Sequence, residues 1–323
     1  MKNKNTALLI CLFLIAVISA GLGRYSLFSD FAELRENPFL ADLILDLRLP
    51  RIATAVLAGI SLTIAGYVMQ TVFKNPLADP GVMGVSQAAG FGAALGILYF
   101  GQSPLIIKVF SFGFSLLALF LVILFTSRLK LKRILGLVLA GIAVSALFSA
   151  GLGLLKYLAD PIDQLPNIVF WLLGSISGAN WNSFYLLTLI TFPLIIFFFI
   201  YRWRLNVHML DEKVTFSLGI GKSWELNLVL AAAVLLTSAI ISTTGIIGWV
   251  GLIIPNYGHL IAGPHAARSM VFSGIAGGIF LLICDDLSRI LLPGEIPIGI
   301  FTAFIGSFLF VLLFWKKRDF LYS

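Results

Sequence analysis

Polar positions in this chain come in short clusters, and between them run apolar segments of bilayer-crossing length. A membrane-spanning helix needs about 20 apolar residues and satisfies its own backbone hydrogen bonds. On that basis the pattern predicts ten spans: 7–23, 52–72, 81–100, 106–126, 134–155, 184–201, 226–242, a short 245–262, 267–291 and 297–315. The most organised stretch is 47–90. A basic, proline-marked entry (Arg48, Pro50, Arg51) leads into a long apolar run, then a polar elbow (Lys74, Asn75, Pro76, Asp79, Pro80), then a glycine-rich second run. This predicts a hairpin crossing the membrane twice.

Three connections exceed simple turns. Residues 24–51 carry charges of both signs. Between 156 and 183, the apolar stretch 168–173 is too short to span and predicts a partial helix near the outer face, at about 166–175. Residues 202–223 form the longest cytoplasmic connection, where Asp211-Glu212-Lys213 opens one or two short helices ending at Gly219-Ile220-Gly221. Within 245–255, Gly245, Gly248, Gly251 and Pro255 predict a broken or bent helix. Irregular backbone at membrane depth survives only when buried in protein or lining a water-filled cavity, so this segment favours a transport pathway.

Composition turns the pattern into a class. Hydrophobic residues make up 59% of the 323, charged residues 11%, and mean hydropathy is +1.03. One soluble domain has too small an interior to hide that much apolar surface. The expected architecture is all-α and polytopic, a single transmembrane domain over 1–323. Lys2 and Lys4 precede the first run, which is read as a retained helix in place of a cleaved signal. Cys11 and Cys284 sit in apolar runs, so no disulfide or metal framework is expected.

Charge then orients the chain. With the N-terminus inside, the cytoplasmic segments hold 15 of the 22 lysines and arginines. Seven stay outside: Arg24, Arg35, Arg48, Arg51, Lys108, Lys156 and Arg289. By the positive-inside rule both termini are cytoplasmic. The net charge of +7 is thereby explained as an orientation signal, without nucleic acid as a partner.

Candidate chemistry is sparse. Gly221-Lys222-Ser223 resembles the end of a phosphate loop, but Phe216 stands where a Walker A motif needs glycine and no strand precedes it. His208, His259 and His265 lack the paired spacing of a metal site. No nucleophile pairs with a base, which disfavours an enzyme. Asp285 and Asp286 follow an apolar run, with Arg289 one helical turn on, so Asp285 and Arg289 share a face and can form an ion pair. A proton or cation relay through the acids is the alternative. Gly92/Gly96 and Gly274/Gly278 have the spacing that lets helix backbones approach closely.

The motifs in order carry more. LRLPR at 47–51, AGYVMQTVFKNPLADPGVMGVS at 65–86, LAGIAVSAL at 139–147 and WLLGSISGANW at 171–181 are followed by SLGIG at 217–221, GIIGWVGLIIP at 245–255 and DDLSRILLPGEIPIGIFTAFIGSFLF at 285–310. From about 47 to 314 the chain resembles the FecCD family of permeases in iron-chelate and vitamin B12 ABC importers. The resemblance implies a type II importer fold of ten helices in the bacterial cytoplasmic membrane. It implies a second permease subunit, identical or paralogous, surrounding membrane lipid, two cytoplasmic ATPase subunits and an external substrate-binding protein. ATP and Mg would bind on the ATPases, with no cofactor on this chain. Arg48, Arg51 and Arg289 match the family's docking arginines. Asn75 and Leu77 match its cytoplasmic gate, with a second gate loop at Lys130 and Leu131. The segment containing Asp211, Glu212, Leu218 and Gly219 matches the element that couples to the ATPase. Val214 and Thr215 depart from the family's usual alanine, and Asn256 and His259 stand where histidine and arginine are common.

The expected function is ATP-driven import of an iron chelate, siderophore or haem. Cobalamin is the alternative cargo, and a proton-coupled secondary transporter is the alternative class.

Overall fold

A computed structural model describes residues 2–22, 42–101, 103–128, 131–208, 223–263, 265–292 and 294–321. No strand occurs among them, and eleven α-helices do: α1 Lys2–Gly21, α2 Leu49–Phe73, α3 Val85–Tyr99, α4 Pro104–Arg128, α5 Arg133–Leu158, α6 Gln164–Leu173, α7 Trp181–His208, α8 Ser223–Thr244, α9 Val250–Ala262, α10 Ala266–Ile290 and α11 Ile298–Leu321. A π-helical turn, Leu43–Arg48, feeds α2, and a 3-10 turn, Pro80–Met83, precedes α3. Each of the ten predicted spans has a helix, and α6 accounts for the partial helix between the fifth and sixth. Among the described residues, seven helical spans are long and apolar enough to cross a membrane.

The short helices have local causes. The run 81–100 yields only Val85–Tyr99, because Pro80 opens a separate 3-10 turn and Gly84 turns the chain at φ 74°. The last of the broken stretch is helical only from Val250, since Gly245 (φ 70°) and Trp249 (φ 71°) both occupy the left-handed region. For tryptophan that conformation costs about 1–2 kcal/mol. Its ring packs edge-on against Phe310 of α11, with centroids 6.0 Å apart.

α2 is the centre of the bundle. Twenty of its 25 residues are buried, and α7, α8, α9 and α10 pack around it. Glycine crossings permit this closeness. A Cβ on Gly66 would stand 1.9 Å from Gly251 O of α9, and one on Gly59 would stand 2.2 Å from Gly277 O of α10. The Gly92/Gly96 pair does bring α3 onto α4, a Gly92 Cβ lying 2.4 Å from Phe110 O. On α10 the tight contact is at Gly277. Gly274 would meet only side-chain carbons, at 3.7 Å, because its face opposes Ile60 and Ile64. The peripheral helices α1, α4, α5, α7 and α11 keep large apolar residues such as Phe13, Phe120, Leu147, Leu189 and Phe304 exposed, as lipid or a partner subunit requires.

Candidate functional site

Three places carry polar structure inside this apolar bundle. The first is at the end of the molecule where α2 and α11 begin. Asp285 of α10 is wholly buried, and Arg51 Nε reaches both its oxygens, at 3.0 and 3.1 Å. Arg51 Nη1 donates to Glu295 Oε1 at 2.8 Å. Arg289 Nε lies 3.4 Å from Asp285 Oδ2, while its Nη2 pairs with Asp286. Ser19 of α1 bridges these last two, donating to Asp286 Oδ1 at 2.6 Å and accepting from Arg289 Nη2 at 2.8 Å. Arg48 Nη1 donates to Ala20 O at 2.8 Å. The three arginines Arg48, Arg51 and Arg289 thus stand among three carboxylates, Asp285, Asp286 and Glu295.

The sequence reading treated those arginines as basic groups kept for a partner outside. In the structure they are 7, 8 and 9% exposed and turned toward their own chain. The expected pairing of Asp285 with Arg289 is only part of the arrangement, since Arg51, from 234 residues away, makes the shorter contacts with Asp285. Buried charge is retained where it is paired and hydrogen-bonded, and this cluster ties α1, α2 and α10 together.

The second place is the elbow at the other end of α2. Lys74 takes a left-handed conformation (φ 49°) and ends the helix, its N–H reaching back to Thr71 O at 3.3 Å. Asn75 Oδ1 accepts the Leu77 N–H at 2.9 Å, an Asx turn that sets the bend. Asn75 and Leu77 are both exposed. Asn256 Nδ2, on α9, donates to Pro76 O at 2.8 Å and to Leu252 O at 2.8 Å. Pro255 has no N–H for the carbonyl four residues back, Gly251 O. Gln70 Nε2 of α2 lies 3.4 Å from that oxygen and bonds more closely to the next carbonyl, Leu252 O, at 2.8 Å. Asn256 and Gln70 are polar clasps that sequence reasoning left unassigned, and the helix-internal proline was the available signal. His259 stacks on Tyr67, centroids 4.7 Å apart, and Tyr67 Oη lies 2.7 Å from Ser269 Oγ. Past the elbow, Val82 O presses on α5 at Gly141, where a Cβ would lie 2.1 Å away.

The third place is the gap between α8 and α9. There the end of α6, residues 245–248 and the start of α11 meet as bare backbone. Ser175 N donates to Thr244 O at 2.7 Å, and Ile298 N to Gly174 O at 3.0 Å. Added Cβ atoms on Gly245, Gly174 and Gly299 would strike backbone oxygens at 2.2, 2.5 and 2.2 Å. Around this junction lies a cavity of about 450 Å³ lined by Asn167, Trp171, Ser175, Ser177, Thr244 and Glu295. A second, of about 340 Å³, shares Trp171, Ser175 and Thr244 and adds Lys108 and Asn180. Hydroxyls, amides, the Lys108 amine and the Glu295 carboxylate face these spaces among apolar side chains such as Ile97, Ile107 and Phe170, a lining suited to a passenger with both polar and apolar surface.

Of the remaining predicted positions, Leu131 is exposed beside α5, while Lys130, Asp211, Glu212, Leu218 and Gly219 lie outside the described residues. The helices flanking the 209–222 segment are fastened to each other. Glu225 of α8 accepts the Tyr201 hydroxyl and pairs with Arg204 Nη1 at 3.1 Å, both on α7. Asn206 Oδ1 accepts the Ala266 N–H at 2.7 Å, fixing the start of α10.

Known proteins place this architecture. A molybdate import system permease of Haemophilus influenzae is 36% identical, the alignment covering 96% of this chain and 95% of the relative. A probable iron chelatin transport permease of Helicobacter pylori is 35% identical, over 90% of this chain and 87% of the relative. A solved structure described as an inward-facing metal-chelate type ABC transporter superposes with a TM-score of 0.89 at 36% identity, covering 98% of this chain and all of that one. The FecCD transport family matches residues 7–316, so the chain belongs to that family and is an ABC importer permease subunit, an integral membrane protein and not itself an enzyme.

Proposed function

We propose that the chain moves an iron chelate, a siderophore or haem, across the cytoplasmic membrane by alternating access driven by ATP hydrolysis on partner subunits. The observation that carries this reading is the junction of α6, residues 245–248 and α11. Non-helical backbone there borders cavities with polar groups in their walls, within an otherwise apolar bundle, as irregular backbone along a transport path would. In this reading a second permease subunit covers exposed apolar faces, and both termini are cytoplasmic. The elbow residues Asn75 and Leu77, with Lys130 and Leu131, form the inner gate. The segment with Asp211, Glu212, Leu218 and Gly219 meets the ATPase, which carries the ATP and Mg. The tie of Tyr201 and Arg204 to Glu225 would pass that contact into α7 and α8. An external binding protein docks on the Arg51 end, where Arg48, Arg51 and Arg289 hold the surface in register for acidic groups of the partner.

The chelate assignment draws on the iron chelatin permease and the metal-chelate transporter structure. Molybdate is a second reading, favoured by the Haemophilus relative and by hydroxyl-rich lining that would suit an oxyanion. Uptake of radiolabelled ferric chelate, molybdate and cobalamin into vesicles holding the assembled transporter separates them. ATP-dependent accumulation of the chelate is the expected result. ATP-driven uptake of molybdate or cobalamin alone transfers the assignment, and uptake that needs no ATP overturns the mechanism.

A further inference from the structure

Arg51 faces two ways. Inward, it holds Asp285, which is wholly buried; outward, its Nη1 meets Glu295, whose side chain is 42% exposed. Glu295 belongs to the short link into α11 and also lines the 450 Å³ cavity. That link is fastened on both sides. Ser288 Oγ of α10 donates to Ile296 O at 2.5 Å, and Ile298 N donates to Gly174 O at the end of α6. One exposed carboxylate therefore joins a buried guanidinium to the rim of a cavity.

We propose that Glu295 is a positioning residue, an internal carboxylate that occupies Arg51 until an acidic group of the docking protein replaces it, and whose release shifts the cavity rim. This rests on the docking reading above. The two contacts of Arg51 differ in exchangeability. Its pair with Asp285 lies wholly in the interior, whereas the Glu295 side of the other pair meets solvent, where water can take the place of a departing partner and ion pairs are weaker. Charge balance points the same way. Among the described residues Arg51 and Arg289 are already paired with Asp285, Asp286 and Glu295, so an incoming acid finds Arg51 occupied unless Glu295 yields its place. Glu295 has somewhere to go. Three residues on, Ile298 starts α11, and a carboxylate is favoured near a helix N-terminus. Docking would then be felt at the α6–α11 junction through a single side chain.

The test uses the assembled transporter in lipid nanodiscs, its own soluble binding protein as the probe, and the Glu295→Gln variant. With the internal competitor neutralised, docking affinity is expected to rise about 3- to 5-fold, the size of an exposed ion pair. Maximal ATP-driven uptake is expected to fall, because docking no longer moves the rim. Tighter docking with slower transport is a split that a merely structural role would not produce. Unchanged or weaker docking, or tighter docking with full uptake, overturns the proposal. A salt titration of the unaltered transporter tests the docking reading separately: electrostatic docking weakens as ionic strength rises. Salt-independent affinity removes that reading, while salt-dependent affinity with an unresponsive Glu295→Gln removes only the role of Glu295. An unchanged thermal midpoint of the variant shows that its fold is intact.

Discussion

The two ends of α2 are held by different chemistry. At its start, charge meets charge in a buried cluster spanning α1, α2 and α10. At its end, neutral amides of Gln70 and Asn256 meet backbone carbonyls of α9 and of the elbow. Removing one partner of a buried ion pair costs about 3–5 kcal/mol, because the other is stranded. A neutral hydrogen bond contributes about 0.5–1.5 kcal/mol net. The first end is therefore nearly all-or-none, with only its exposed Glu295 exchangeable, while the second can be undone bond by bond. A seal that must open in every cycle is better made from the second kind.

That contrast can be broken by experiment. Asp285→Ala takes from Arg51 and Arg289 the carboxylate they share, leaving Arg51 with Glu295 and Arg289 with Asp286, and is expected to destabilise the protein by about 3 kcal/mol, read as a large drop in thermal midpoint in nanodiscs. An effect no larger than that of an elbow variant would end the comparison. Next in size, Gly66→Ala drives a methyl into the Gly251 carbonyl. Such overpacking costs about 1–3 kcal/mol and should separate α2 from α9, and with them both elbow clasps. Smaller again, Asn256→Ala should cost about 1 kcal/mol while raising thiol labelling of a Leu77→Cys reporter. Unchanged labelling would mean the clasp does not restrain the elbow.

The smallest effect sharpens the contrast between buried and exposed carboxylates. Asp160 precedes α6 and accepts N–H groups from Ile162 at 2.8 Å and Asp163 at 2.9 Å, which hold its carboxyl below the usual range. A depressed folded value means the stabilisation is present above the unfolded carboxylate pKa and is lost as pH falls through the folded one. Asp160→Asn should therefore lower the thermal midpoint slightly at neutral pH, and the difference should vanish in acid. A persistent difference would assign the effect to packing.

Much of the fold was legible in the pattern, because hydropathy period and length are local properties. All ten apolar runs became helices, and the stretch too short to span became α6. The broken stretch was legible too, since Gly245 and Pro255 announce it. What escaped depended on distance. Arg51 and Asp285 are 234 residues apart, Asn256 and Pro76 180 apart, and nothing in either neighbourhood names the other. Glycine spacing gave the close pair on α3, while on α10 the crossing with Gly59 is made at Gly277 and Gly278 and leaves Gly274 outside it, because spacing says that a face is smooth and leaves open which neighbour it meets. Nothing around Glu295 in the sequence marks it, because its contacts are with Arg51, far back in the chain, and with a cavity that exists only when α6 and α11 meet.

The unbroken length of α2 has a consequence for the membrane. It is one continuous helix with no internal proline beyond its first turn, pressed backbone to backbone against α9 and α10 at two glycine crossings. A rod gripped at its middle behaves as a seesaw: tilt that loosens one extremity tightens the other. In the proposed cycle, the charged end of α2 and its amide-held end would then be coupled through the helix itself, without a separate linkage between them.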